Sequence, residues 1–152
     1  MTIRPCVHSD APRIVELVTG ILAREFSADQ AAYPADDLER LSETYRGPNG
    51  VFLVAEDAGR IVGTCGVKAE DSHTALLRRL FVEASHRGKG IGRRLLEEAV
   101  AFCRKRGFRD VMIQTSARME RAIQLCRAIG FREEGRWALG EVTLVRYRLR
   151  LT

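Results

Sequence analysis

Arg87-Gly88-Lys89-Gly90-Ile91-Gly92 is the stretch whose residue types could do chemistry. Glycines alternate with basic and apolar residues where a strand-like run, Leu80-Phe81-Val82, gives way to a helical pattern. Such a junction attracts anions. The first turn of a helix has N–H donors without partners and carries the positive end of the dipole. Glycine has no Cβ, so a phosphate could approach the main chain closely. Arg87, Lys89 and Arg93 add positive charge. Two phosphate motifs fail. The dinucleotide fingerprint counted from Gly88 needs a third glycine where Arg93 stands, and a Walker A loop needs Ser or Thr where Gly90 follows Lys89.

The elements that must position this loop are legible in outline. Thr2 to Cys6 is a strand candidate. Ser9 or Asp10 caps a helix with Pro12 in its first turn. Ile14, Leu17, Val18, Ile21 and Leu22 recur at helical spacing along it. Ser27 to Pro34 reads as a loop. Asp36 opens a second helix with Leu38, Leu41 and Tyr45 on one side, ended by Gly47-Pro48-Asn49-Gly50. Val51 to Glu56, Arg60 to Glu70 and Thr74 to Val82 read as an antiparallel meander.

After the glycine loop the period becomes 3.6, with Ile91, Leu95, Ala99, Phe102 and Cys103 on one face and Gly107 as stop. Val111 to Thr115 is a strand. Met119, Ala122, Ile123, Cys126 and Ile129 stripe a last helix, stopped by Gly130. Phe131 to Arg136 and Val142 to Leu151 form a final strand pair. The order βααβββαβαββ predicts an α+β fold, a mixed, mostly antiparallel twisted sheet with helices on both faces.

Composition narrows the function classes. The 152 residues are 45% apolar and 30% charged, the balance of one ordinary globular domain over 1–152. No apolar run approaches the roughly 18 residues of a membrane span. Arg4, His8, Asp10, Arg13 and Glu16 interrupt the start as no secretory signal would. The net charge of +5 permits an anionic partner. Nucleic acid is not expected, since acids interleave with bases and aromatics are only 7%. Cys6, Cys65, Cys103 and Cys126 lack metal-site spacing and read as reduced thiols of a cytoplasmic protein. No metal constellation involves His8 or His86.

The chain resembles the GNAT superfamily of N-acetyltransferases. Arg87-Gly88-Lys89-Gly90-Ile91-Gly92 matches that family's Arg/Gln-x-x-Gly-x-Gly/Ala signature. Leu80-Phe81-Val82, Gly107-Phe108, the run from Ala122 to Phe131, and Ile3-Arg4 with Asp10-Ala11 are also similar to it. The resemblance spans nearly the whole chain and is strongest from about 74 to 131. It implies acetyl-CoA as cosubstrate, with the diphosphate on the amides from Arg87 to Gly92 and the pantetheine arm added like a strand beside Leu80, Phe81 and Val82. Thr115 or Ser116 would face it across the splayed gap. The implied reaction is direct attack of a neutral primary amine on the thioester, the oxyanion held by a main-chain N–H near Phe81 or Val82.

Two positions depart from the family pattern. Cys126 stands where relatives carry the tyrosine that protonates the leaving thiolate. It has two readings, a thiol acid or an apolar filler continuing the stripe of Ile123 and Ile129. Leu76 stands where relatives often place a basic glutamate, which leaves the general base unassigned among Glu70, Asp71, His73 and Glu83. Tyr147 is a second candidate acid if it faces the acceptor cleft, and Trp137 reads as packing. Among the N-terminal helices Glu25, Asp29, Asp36, Asp37 and Arg46 are either acceptor contacts or solvated helix faces. The function read here is N-acetyl transfer to a small-molecule, amino-acid-like or protein amine, with homodimerisation the symmetric default. The alternative is an acyl-CoA-binding module without catalysis.

Overall fold

The computed structural model describes residues 1–30 and 33–152 in full. Seven strands form one sheet in the order β1-β2-β3-β4-β5-β7-β6. They are β1 (Thr2–Pro5), β2 (Val51–Asp57), β3 (Arg60–Ala69), β4 (Thr74–Val82), β5 (Asp110–Ser116), β6 (Arg132–Leu139) and β7 (Val142–Arg150). Only β4 and β5 run parallel, and every other neighbouring pair is antiparallel. The helices are α1 (Ala11–Glu25), α2 (Asp36–Glu39), α3 (Leu41–Thr44), α4 (Ile91–Lys105) and α5 (Glu120–Ile129). The mixed sheet and its helices agree with the fold class read from the sequence.

Two apolar layers sandwich the sheet. Alternation along β2 shows why: Leu53 and Ala55 enter the cluster under α4, whereas Phe52 and Val54 enter the cluster under α1. A strand buried on both faces needs an almost unbroken apolar run, which is what Val51–Ala55 supplies. In α4 the buried positions Leu95, Leu96, Ala99, Val100 and Cys103 form the stripe that seats on the sheet. Arg104 and Lys105 in its last turn complement the dipole.

The segment between α1 and β2 differs from the sequence reading in two ways. The expected second helix is broken at Arg40 (φ −133°, ψ 46°) into the single turns α2 and α3. The break lets Asp37 turn inward while Leu38, Leu41 and Tyr45 stay buried. The expected loop before it contains a 3₁₀ stretch, Ser27–Ala32. Asp29 there is 0% exposed, so the solvated-face reading of this acid is overturned by its burial. Asp37, 5% exposed, is overturned likewise.

Strand β4 is the element that shapes the site. Its parallel pairing with β5 ends at Leu77 opposite Ile113, and beyond that the two strands part. On the β3 side, Gly66 pairs with Arg78 and Thr64 with Phe81, so Arg79 and Leu80 together oppose Cys65. This is a β-bulge. Arg79 takes φ +60°, a left-handed conformation that costs a side-chain-bearing residue about 1–2 kcal/mol. The strain is held by buried contacts. Thr64 Oγ1 donates to Arg79 O at 2.7 Å, and the Arg79 guanidinium donates to Asp37 through Nε at 3.0 Å and Nη2 at 2.6 Å.

Candidate active site

A cavity of about 680 Å³ opens between the start of α4, the end of β4 and α5. Leu80, Phe81, Val82, Arg87, Gly88, Gly90, Ile91 and Gly92 line it, with Arg93, Arg121, Met119 and Leu125. The glycine loop and the β4 end singled out in the sequence therefore meet around one space. Lys89 is exposed and outside the lining, and Thr115 is buried beside it, 4% exposed.

The local geometry makes the loop a cradle. Gly88 and Gly90 take φ +78° and +82°, and an added Cβ at either would meet nothing within 4 Å. What glycine supplies there is the backbone conformation. Gly92 differs: its Cβ would lie 3.0 Å from Leu125 Cδ1, so this glycine lets α4 and α5 approach. Arg94 N–H makes the first helical bond, to Gly90 O at 3.1 Å. The amides of residues 91–93 therefore have no helical acceptor and are available to an anion at the cavity edge.

Arg87 plays a different part from the free charge its type suggests. Its Nε donates to Val82 O at 2.9 Å, and its guanidinium forks onto the Glu25 carboxylate, with Nη2 to Oε2 at 2.8 Å. Arg87 thus staples the loop to β4 and α1, and its charge is already paired. Hydrogen bonding to Arg87 in turn holds the Glu25 carboxyl below the usual carboxylate range. Among the described residues Arg121 is the lining arginine without an ion pair, and Arg93 has only a loose, exposed pair with Glu97 at 3.7 Å, which a ligand anion can displace. Arg121 escaped the sequence reading because only tertiary packing brings the first turn of α5 to this space.

The proton-handling candidates separate sharply. Cys126 is 1% exposed, sits in the α4-side core and does not line the cavity; burial pushes its thiol up to about 12. Of its two sequence readings, its place in the core suits the apolar filler and not the acid. Tyr147 is 1% exposed in the same core, with Arg127 Nη2 donating to its hydroxyl at 3.1 Å, so it does not face the cleft either. Glu83 is spent on Arg13 (3.1 Å) and Arg60 (2.7 Å). Asp71 accepts the N–H groups of His73 and Thr74 in its own exposed turn, both at 2.8 Å.

Tyr33 was not singled out by sequence. Its hydroxyl accepts the Ser116 N–H at 2.7 Å and lies 3.2 Å from Thr115 Oγ1 and 3.3 Å from Met119 Sδ. Burial raises its phenol above the ordinary tyrosine value. It stands between the large cavity, which Met119 lines, and a second cavity of about 260 Å³. The second cavity lies where β4 and β5 part and is lined by Tyr33, Glu70, Leu76, Leu77, Arg78, Arg79, Met112, Gln114 and Arg146. Glu70 is the sequence-derived base candidate that the structure brings to a cavity.

Residues 16–131 match the acetyltransferase (GNAT) family. The chain belongs to that family. It is 32% identical to probable N-acetyltransferase family 8 member 5 of Mus musculus over 73% of this chain and 50% of that one. The chain spans about half the length of the mammalian relatives it matches. It is 29% identical to the uncharacterized N-acetyltransferase YjgM of Escherichia coli, covering 86% of this chain and 81% of that one. A GNAT-family acetyltransferase structure from Staphylococcus aureus Mu50 superposes with TM-score 0.86 at 24% identity, covering 99% of both chains. A phosphinothricin acetyltransferase from Sinorhizobium meliloti, solved in complex with AcCoA, superposes with TM-score 0.78 at 23% identity over 99% of this chain and 88% of that one. At these identities the structural likeness is one of fold, and this GNAT chain's own residues must carry the chemistry.

Proposed function

We propose that residues 1–152 act as one acetyl-CoA-dependent N-acetyltransferase domain that transfers the acetyl group to a primary amine. The observation that carries this reading is the 680 Å³ cavity joining the amide-lined start of α4 to the stretch of β4 that β5 has left. The residues present fit the cosubstrate. Open amides at 88–93, with Arg93 and Arg121, would hold its diphosphate, and the main chain of β4 beyond Leu77 would hold its amide-bearing arm by strand addition. When bound, acetyl-CoA supplies an activated acyl carbon and a thiolate leaving group.

The chain's own part is positioning and proton transfer. Apolar walls from Ile21, Phe26, Phe81 and Met119 exclude water from the inner end of the cavity. Main-chain N–H groups of the β4 bulge region are the candidate donors for a developing oxyanion. Tyr33, a phenol protonated at neutral pH that burial raises further, takes the acid role that Cys126 does not fill. The four unpaired thiols fit a reducing compartment such as the cytoplasm. Calorimetry with acetyl-CoA and release of free thiol with an amine panel test the reading. Absence of acetyl-CoA binding would overturn it.

One observation favours the second reading, an acyl-CoA-binding module. Among the described residues, no carboxylate lines the large cavity. Acetyl-CoA binding without thiol release on any amine would select the module.

A further inference from the structure

Buried polar groups in folded proteins almost always have hydrogen-bond partners, so those without one mark places where something else belongs. Two such atoms come from residues in the wall of the 260 Å³ cavity: Arg79 Nη1 and Arg146 Nε. The Arg79 side chain is only 2% exposed. Its Nε and Nη2 are committed to Asp37, and Nη2 also donates to Pro34 O at 2.6 Å. Among the described residues, Nη1 has no acceptor. Arg146 is pinned rather than mobile. Its guanidinium lies 5.3 Å over the Trp137 ring, and Nη2 donates to Gln114 Oε1 at 3.3 Å.

Charge in the wall is unbalanced in the same sense. Arg78, Arg79 and Arg146 face a single lining carboxylate, Glu70. Asp37 offsets the Arg79 charge and its oxygens already accept from Arg79 and from the Tyr45 hydroxyl at 2.6 Å, which leaves Arg78 and Arg146 against Glu70, one positive charge in excess. Arg78 lies 3.9 Å from Asp37, beyond hydrogen-bond reach. A planar guanidinium donates two parallel bonds to a carboxylate, the pairing that suits arginine best.

Position completes the argument. Arg78 is the first β4 residue beyond the β5 pairing, and Gln114, opposite Arg146 on β7, is the first such residue on β5. The cavity therefore opens at the strand split, on the β5 side of β4, where an acceptor would reach a thioester held along β4 beyond Leu77. It is smaller than the roughly 300–1,000 Å³ of common ligand pockets, which suits a compact molecule rather than a folded protein surface. The structure assigns this cavity, on the basis of the acetyltransferase reading above, as the seat of a carboxylate carried by the acceptor. The acceptor class is a small amino acid or amino-acid-like amine, with Arg146 and Arg78 holding its carboxylate and Arg79 closing the site from β4.

The test separates this assignment from the acetyltransferase reading. In the intact chain, N-acetylglycine is titrated while the arginine Nε–Hε resonances are followed by NMR, with N-acetylglycinamide as the uncharged control. The Arg146 resonance is identified by its loss in Arg146→Lys. Saturable displacement by N-acetylglycine alone is expected. Equal response to both compounds, or to neither, overturns the carboxylate seat, as does displacement by inorganic phosphate but not by N-acetylglycine. A kinetic arm compares kcat/KM for common amino acids and their amides. In Arg146→Gln the acid-to-amide ratio should fall about tenfold to a hundredfold, mainly through KM, a ratio in which amine basicity cancels between enzymes. An unchanged ratio overturns the assignment. Loss of acetyl-CoA binding with the resonance still responding would instead sink the acetyltransferase reading and leave the anion site standing.

Discussion

Gly90, Tyr33 and Cys126 each make a distinct demand on single-residue chemistry. Gly90 sits at φ +82° at the head of α4, where any side chain adopts a left-handed backbone at a cost of about 1 kcal/mol and stands beside the open amides. Gly90→Val is expected to weaken acetyl-CoA binding at least about tenfold with a modest stability loss, read by calorimetry and thermal melting. Undiminished affinity would move the diphosphate elsewhere. Tyr33→Phe removes the one hydroxyl that touches both Ser116 and Met119. Its kcat should fall by about 10² with acetyl-CoA affinity intact. Cys126→Ala should do the reverse, leaving kcat within about threefold and costing roughly 1–2 kcal/mol of stability, since a buried thiol behaves as a small hydrophobe. A hundredfold loss of kcat at unchanged stability would reinstate Cys126 as an acid.

The β4 bulge and the segment carrying α2 and α3 depend on each other. Arg79 reaches from the bulge to Asp37 and Pro34, and Tyr45 closes the same carboxylate from α3's end. Burial alone would raise the Asp37 pKa, but hydrogen bonds from Arg79 and Tyr45 outweigh it and hold the carboxyl below its ordinary value. A carboxyl whose folded value is depressed stabilises the fold above its unfolded pKa of about 4. That stabilisation is lost as the pH falls through the folded value. Asp37→Asn should cost about 3 kcal/mol at pH 7, because it leaves the Arg79 charge buried and unpaired, and should flatten the stability profile below about pH 4. Urea midpoints at pH 7 and pH 3 would show it; an unaltered acid limb would contradict it. The Glu25–Arg87 pair acts on the other element, the glycine loop. Glu25→Gln should raise the Kd for acetyl-CoA severalfold by loosening that staple, without touching the cavity wall.

At the scale of the molecule, one sheet serves two cores. Val18 of α1 and Leu95 of α4 are both 0% exposed and pack on opposite faces of the sheet. Leu95→Ala should cost about 2–5 kcal/mol, and Val18→Ala somewhat less. Because β2, β3 and β4 contribute to both layers, unfolding should remain a single transition in either variant. Trp137 fluorescence on β6 and far-UV circular dichroism should therefore trace coincident curves. Separated curves would mean that the layers unfold independently.

Residues 87–92, the β4 end and the α4 stripe were legible because their chemistry is local. Helix starts, glycine conformations and apolar periods are written in adjacent residues, and they determined the family, the sheet-and-helix order and the glycine loop that lines the large cavity. The sequence reading went wrong where function depends on distant residues meeting. Asp29 and Asp37 read equally as acceptor contacts or as solvated helix faces, yet both are buried, Asp29 in the 3₁₀ stretch and Asp37 where the segment turns inward onto Arg79. Tyr33 gained its place only through contact with Thr115 and Ser116, far along the chain. Cys126 and Tyr147 lost theirs because helix and strand turned those side chains into the core. The tertiary structure alone decided which side chains face the split between β4 and β5, since strand separation and cross-chain ion pairing leave no short-range pattern to read.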